Sequence, residues 1–252
     1  MTQQDALFEY LLRLGDTSLA LGHRLSEWCG HAPELEEDVA LTNLALDLVG
    51  HARMLLTYAG EVEGKGRDED RLAYHRDVFD YRNHLMVEQP NRDFGHTIAR
   101  QFLHDAWALE LYERLTSSTD ANLAGIAAKA VKEKRYHLRH SAEWVVRLGD
   151  GTDVSHAKMA DAFDRLWRFT PEMFEADEVE RTLAAAGIAP DPDSLRPAWE
   201  ARVDGVLAEA TLPARPAVVG QTGGRSGRHG EHLGYLLAEM QYLQRAYPGA
   251  TW

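Results

Sequence analysis

The sequence predicts an all-α protein, built as an antiparallel bundle of four long helices with additional helices toward the C-terminus. Apolar side chains recur at alternating spacings of three and four residues along several long segments, which is the period of a helix face buried in a bundle. No run of alternating β-branched residues bounded by turns is present, so strands are not predicted. We expect one domain over residues 1–252, with core helices at about 4–150 and extra helices at about 153–248.

The first two helices of the predicted bundle lie before residue 63. The first carries a stripe with a spacing of four and three, and Gly30 and Pro33 end it. That stripe comprises Leu7, Leu11, Leu14, Ser18, Leu21, Leu25 and Trp28. The second helix runs from 34 to about 62, and its acidic first turn suits the positive end of the helix dipole. A shorter, charged helix is expected to connect onward from 68 to about 86.

The third and fourth long helices follow, beginning near Asp93 and near Ala121. One face of the third helix contains Phe94, Ile98, Phe102, Asp105, Leu109 and Tyr112. The predicted inward stripe of the fourth helix, which runs to Leu148, contains Ile126, Ala130, Glu133, His137, His140 and Trp144. Further helices are expected at 153–169, at 177–186 and after Pro192. A Gly/Pro-rich loop at 213–230 then leads into a last helix at 229–247.

Charge and cysteine content restrict the partners and the compartment. The chain has 252 residues and a formal net charge of −13, which argues against nucleic acid and anionic membranes as partners. Cys29 is the only cysteine, so an intramolecular disulfide and multi-thiolate metal sites are excluded. No secretory signal and no run of about 20 apolar residues is found. We therefore expect a cytoplasmic protein without membrane association.

Inward carboxylates and histidines on long helices raise the hypothesis of a carboxylate-bridged di-iron site. Such a site takes a carboxylate from each of two helices and a Glu-x-x-His pair from each of two others. The candidate residues are Asp105, Glu133 and His137, yet no Glu-x-x-His occurs anywhere in the chain. We therefore favour a hydrogen-bonded polar cluster that is structural, because buried polar groups persist when they are satisfied. We predict no catalytic, cofactor-binding or metal-binding residue.

Several long motifs, in order along the chain, resemble one family. They are 13–16 (RLGD), 27–36 (EWCGHAPELE), 135–139 (RYHLR), 166–170 (LWRFT), 231–234 (EHLG) and 237–245 (LAEMQYLQR). Together they resemble the PaaC family, the subunits of phenylacetyl-CoA epoxidase complexes, from residue 13 to Trp252. One position departs from the pattern, since Gly230 stands where threonine is expected.

The resemblance implies a ferritin-like fold and a role in bacterial aerobic phenylacetate degradation. In that family a related PaaA subunit holds the di-iron centre and the substrate site, and a reductase with FAD and an iron–sulfur cluster supplies electrons from NADPH. The implied role is a non-catalytic structural subunit of an O₂-dependent monooxygenase that forms the ring 1,2-epoxide. Its implied partners are the PaaA-like subunit and the other subunits of the complex. Self-association of the isolated chain stays open.

Two alternatives also stay open. The chain could be a ferritin-like oxygenase with its own carboxylate-bridged metal site around Asp105, Glu133 and His137. It could also be a helical interaction protein unrelated to oxygenases. Metal content and the ligand set of the co-purifying partner distinguish the three interpretations.

Overall fold

A computed structural model describes residues 1–250, and the last two residues of the predicted domain, 251 and 252, lie outside the described residues. Within that range there are ten α-helices and no β-strand, so the all-α prediction is confirmed. The chain divides into two compact units, Met1–Pro90 with the described residues from Thr222 onward, and Asn91–Gln221. The single domain expected over 1–252 stays a prediction.

The helix bounds follow the predicted order. The helices are α1 (Gln3–Ser26), α2 (Leu35–Glu63), α3 (Glu69–Tyr74), α4 (Phe94–Leu115), α5 (Ala121–Gly149), α6 (Asp153–Leu166), α7 (Glu178–Ala185), α8 (Arg196–Glu209), α9 (Glu231–Met240) and α10 (Tyr242–Ala246). Single 3₁₀ turns lie at Val78–Asp80, Trp167–Phe169, Pro171–Phe174, Pro192–Leu195 and Gly224–Ser226.

In the first unit, α1 and α2 form an antiparallel helical hairpin. The start of α1 meets the end of α2, where the Nε2 of Gln4 donates to the carbonyl oxygen of Val62 at 2.6 Å. A Cβ atom on Gly15 would lie 2.8 Å from the side chain of Leu56, so the glycine allows the two helices to lie close together at this point. A capping box at Thr2 begins α1, and Gly64 ends α2 in the left-handed conformation at φ 68°.

By length and composition alone, α2 could cross a membrane. Core helices of folded proteins pass the same test, so one such helix is weak evidence for a membrane segment.

The connecting helix predicted at 68–86 is wrong beyond Tyr74. Only α3 and one 3₁₀ turn form there, because side chains of α1 hold the backbone that follows. Asp16 accepts a hydrogen bond from the backbone N–H of Arg82 at 2.8 Å, and Thr17 accepts one from the N–H of His84 at 3.3 Å. These tertiary bonds take the place of a helical ladder.

The last helix, predicted at 229–247, begins later and breaks once. It starts at Glu231, and Gln241 separates α9 from α10. The side chain of Gln241 is buried, and its Nε2 donates to the carbonyl oxygens of Ala73 and Arg76, both at 3.0 Å. The junction of the C-terminal helices is thereby bonded to the end of α3 and to the segment that follows it.

In the second unit, α4 and α5 are also antiparallel. The Nη2 of Arg135 donates to Glu113 at 2.7 Å near one end of the pair, while the rings of Phe94 and Trp144 meet edge to face at 5.1 Å near the other. The N-caps are carboxylates, since Asp93 accepts from the N–H of His96 at 2.8 Å and Asp120 caps α5 in the same way.

Two tryptophan side chains donate hydrogen bonds that connect α4 to other segments of this unit. The indole N–H of Trp199, a fully buried residue of α8, donates to the carbonyl oxygen of Leu103 at 3.0 Å. The indole N–H of Trp107, in α4 itself, donates to the carbonyl oxygen of Met173 at 3.0 Å. Residues 95–109 of α4 are all buried, which makes this helix the centre of the unit.

Candidate functional site

The buried face of α5 differs from the predicted stripe. Ala130 and His137 of the predicted stripe are buried, whereas Glu133, Ile126, His140 and Trp144 are only half-buried. The buried residues that follow helical spacing are Leu123, Ala127, Ala130, Lys134, His137, Ser141 and Val145. Lys134, and not Glu133, is the fully buried residue between Ala130 and His137.

Asp105 of α4 lies at the centre of a buried polar cluster, as the sequence predicted. Its Oδ1 accepts a hydrogen bond from the Nε2 of Gln101 at 2.8 Å, and its Oδ2 accepts one from the hydroxyl of Ser141 at 2.9 Å. The same hydroxyl lies 3.0 Å from the carbonyl oxygen of His137. All four residues are buried, and α4 and α5 both contribute to the cluster.

Lys134 supplies the positive charge of this cluster. Its side chain is fully buried, and its ammonium lies 5.4 Å from the centre of the Tyr112 ring. Burial raises the pKa of Asp105 to about 7, while the charge of Lys134 and the bonds from Ser141 and Gln101 act in the opposite direction. Sequence analysis missed Lys134, although its spacing of four from Ala130 and three from His137 places it on their face.

This arrangement does not fit a di-iron ligand set. An ammonium near the central carboxylate contributes positive charge where a metal would lie, and a lysine ammonium has no lone pair for a metal. Among residues 1–250 there is no group of three or more His, Cys, Asp or Glu side chains that could hold a metal ion. Ser141 bonds the Asp105 carboxylate and contacts only the backbone carbonyl oxygen of His137, and Glu133 is half-buried. That the chain binds no metal stays a prediction.

A second buried ionic cluster lies in the first unit, around Asp16 of α1. Both its carboxylate oxygens accept from the guanidinium of Arg76, and the pair is almost fully buried. The guanidinium also lies over the ring of Tyr81 at 4.5 Å. Burial opposes the charge of Arg76, but the charge and hydrogen bonds of Asp16, together with Tyr81 and Asp80, raise the pKa of that guanidinium.

Glu88 forms a third cluster in the same unit and holds the start of α9. This fully buried carboxylate accepts from His229 Nδ1 at 2.8 Å, from the N–H of Gly230 at 2.7 Å and from Asn83 Nδ2 at 3.1 Å. A Cβ on Gly230 would lie 3.1 Å from the carboxylate, so glycine suits this position. Sequence reasoning could not find the pair, since 141 residues separate Glu88 from His229.

His229 is protonated more readily than an ordinary histidine. Burial disfavours its charge, but the hydrogen bonds to Glu88 and to the carbonyl oxygen of Tyr81, at 2.9 Å, outweigh burial and raise its pKa. The contact with Glu88 therefore favours the imidazolium form of His229.

Long helices packed in antiparallel pairs are the architecture of the helical-bundle class of all-α proteins. Residues 1–252 match the model of the PaaA_PaaC family, described as phenylacetic acid catabolic protein, and the chain belongs to this ferritin-like family. It is 56% identical over 246 residues to the C subunit of the 1,2-phenylacetyl-CoA epoxidase of Escherichia coli strain K12. The match covers 98% of this chain and 99% of that relative. The resemblance inferred from the motifs is confirmed.

Proposed function

We propose that the chain is a non-catalytic structural subunit of a phenylacetyl-CoA 1,2-epoxidase. It pairs with a related di-iron catalytic subunit in the cytoplasm and stabilises that subunit during aerobic phenylacetate degradation. The chain itself carries no cofactor. Iron belongs to the partner, and a separate reductase with FAD and an iron–sulfur cluster transfers electrons from NADPH.

The interior of the α4–α5 pair carries this proposal. Asp105, the best candidate for a metal-ligating carboxylate, is bonded by Gln101 and Ser141, and Lys134 provides the nearby positive charge. A carboxylate with those partners supports packing of the two helices instead of metal binding. The name of the relative, which is one subunit of an epoxidase, supports assembly with other subunits.

Reconstitution tests the proposed role. The chain is co-expressed with the family member from the same source that carries two Glu-x-x-His pairs, and the complex is isolated through a tag on that partner. We expect stoichiometric co-purification, with iron bound to the partner. Epoxidation of phenylacetyl-CoA in the presence of the reductase, NADPH and O₂ should require both chains. Full turnover by the partner without this chain would rule out the structural role.

Iron analysis separates this proposal from a chain with its own metal centre. After reconstitution with ferrous iron and removal of excess metal, the isolated chain should retain far less than one iron per molecule. Near two irons per chain, lost in Glu133→Ala but kept in Glu143→Ala, would favour an independent oxygenase. Glu143 is the matched control because it is an exposed glutamate on the same helix.

A further inference from the structure

The helix α5 concentrates positive charge in an acidic chain. It contains six lysine or arginine residues and only two glutamates, whereas the whole chain has 27 lysine and arginine residues against 40 aspartates and glutamates. The remainder of the chain is therefore more acidic than the net charge of −13 indicates. Because charge decides which surfaces attract each other, this asymmetry makes α5 distinct from the other helices.

Six exposed residues of α5 recur at spacings of three and four, which places them in one row on the side of the helix opposite the Asp105 cluster. This basic row comprises Lys129, Lys132, Tyr136, Arg139, Glu143 and Arg147. It extends about 27 Å along the helix, from its first lysine to its last arginine. Four of its side chains are cations and one is a carboxylate, so the row carries a net positive charge. The polar cluster around Asp105 uses none of these residues.

Within residues 1–250, no ion pair joins a lysine or arginine of the basic row to a carboxylate. The neighbouring Arg135, which lies beside the row, is instead paired with Glu113 at 2.7 Å. The exposed Glu143 and the half-buried Glu133 lower the positive charge of this face, but two carboxylates do not cancel four cations. The row therefore keeps a positive charge that an acidic surface can complement.

The two arginines of the basic row lie against aromatic rings. The guanidinium carbon of Arg139 is 5.4 Å from the centre of the Tyr136 ring, and that of Arg147 is 5.5 Å from the centre of the Trp144 ring. Such stacking orders the planar guanidinium while its N–H donors stay available to a carboxylate. The row thus presents ordered donors of the kind that aspartate and glutamate side chains accept.

The composition of the basic row favours a transient protein partner. Within α5, all of which the structure describes, Tyr136 is the only large hydrophobic side chain that is exposed. Obligate interfaces are more apolar than this, whereas encounters between redox proteins are small, and complementary charge speeds association. A nucleic acid would be repelled by the rest of a chain whose net charge is −13. The observations therefore favour an acidic protein that binds and leaves.

We propose that the basic row docks an acidic face of the electron-donating reductase. This inference rests on the proposed function, which includes such a transient partner, and it assigns the surface that receives that partner. The lysine and arginine side chains attract the reductase from a distance and orient it on α5, so they act mainly on the rate of association. The contact is electrostatic and is weakened by salt.

Steady-state epoxidation by the reconstituted complex tests this surface. Phenylacetyl-CoA, NADPH and O₂ are saturating, and the reductase concentration is varied at about 50 mM and about 500 mM NaCl, because salt screens exposed charges. In Lys132→Glu/Arg139→Glu we expect the KM for the reductase to rise about tenfold at low salt and less than about twofold at high salt. The kcat at saturating reductase and the co-purification with the catalytic subunit should not change. Lys132→Gln/Arg139→Gln should raise the KM less, since it removes the charges without reversing them.

Arg168→Glu/Arg181→Glu is the matched control, because it reverses two exposed cations of the unit 91–221 outside α5. No rise in KM for the Lys132→Glu/Arg139→Glu variant, or an equal rise in the control, would overturn the proposal. Loss of the catalytic subunit on purification would assign the row to the stable interface and also overturn it. Binding of duplex DNA, or self-association, that the same variant abolishes would do so as well. If wild-type epoxidation proceeds without this chain, the proposed function itself fails, whereas the other outcomes concern the basic row alone.

Discussion

Replacing Lys134 with methionine is expected to destabilise the unit 91–221 by up to about 1.4 kcal/mol at pH 8 and up to about 2.7 kcal/mol at pH 9, because Asp105, with a pKa of about 7, then loses the cation that favours its ionised form. Lys134 and Asp105 are both fully buried, and methionine nearly preserves the volume of the lysine stem. The remaining bonds to Asp105 come from two neutral donors, Gln101 at 2.8 Å and Ser141 at 2.9 Å. The decrease in the free energy of unfolding therefore measures the lost charge of Lys134 and not a cavity.

The pH dependence of this loss follows from the raised pKa of Asp105. A carboxyl group whose pKa is higher in the folded chain than in the unfolded chain is favoured in its protonated form by folding. Its contribution to stability declines as pH rises from about 4 through about 7. Lys134→Met raises that pKa further, so the difference from wild type should be small at pH 5 and should grow up to pH 8 or 9.

A double-mutant cycle isolates the interaction between the two side chains. Urea denaturation followed by circular dichroism is measured for Lys134→Met, Asp105→Asn and the double variant at pH 5 and pH 8. Each single variant leaves a polar group without its original partner, whereas the double variant removes both charges and should lie within about 1 kcal/mol of wild type. A Lys134→Met loss below about 0.5 kcal/mol at both pH values would refute this account of the cluster.

Two further predictions concern the first unit and the spacing of helices. Because the pKa of His229 is raised in the folded chain, its stabilising bond to Glu88 is fully present below about pH 6.5 and declines as pH rises through the folded pKa. His229→Gln should therefore cost about 1–3 kcal/mol at pH 6 and less at pH 9 by urea denaturation, and an equal loss at both would contradict protonation. Gly60→Ala should destabilise the chain by about 1–3 kcal/mol, since its Cβ would lie 2.1 Å from the carbonyl oxygen of Arg67. Gly125→Ala is the control, because nothing lies near this position of α5, and alanine should raise the melting temperature there. If Gly125→Ala also lowers stability, the loss in Gly60→Ala cannot be assigned to the contact with Arg67.

The long helices could be predicted from the sequence because their end signals are local. Asp93 and Asp120 cap α4 and α5 through their own first turns, and Gly64 ends α2 within one residue of the expected position. Helical periodicity and capping residues both act over a few positions. They are therefore visible without knowledge of the tertiary structure.

The segment from 75 to 90 could not be predicted in this way. Its charged composition is compatible with a helix, but bonds to Asp16, Thr17 and Arg24, about 60 residues earlier, determine its path. Such distant partners leave no periodic signal.

The candidate site was predicted in part. Asp105 and His137 were correctly placed inside, and the absence of Glu-x-x-His pointed to a structural cluster. Lys134 was missed because a lysine is usually exposed, so the stripe was drawn through Glu133 instead. The spacing of Lys134 from Ala130 and His137, four and three residues, is the signal that places it on the inward face of α5.

We propose that this chain contributes structure and no metal chemistry to the epoxidase. The most direct measurement is phenylacetyl-CoA epoxidation by the complex reconstituted with the Asp105→Asn/Lys134→Met double variant, which removes the central carboxylate and its cation. We expect a turnover within about twofold of wild type, since a structural substitution that keeps the fold should change the barrier by less than about 0.4 kcal/mol. A loss of a hundredfold or more, with the complex intact and the partner's iron retained, would contradict it.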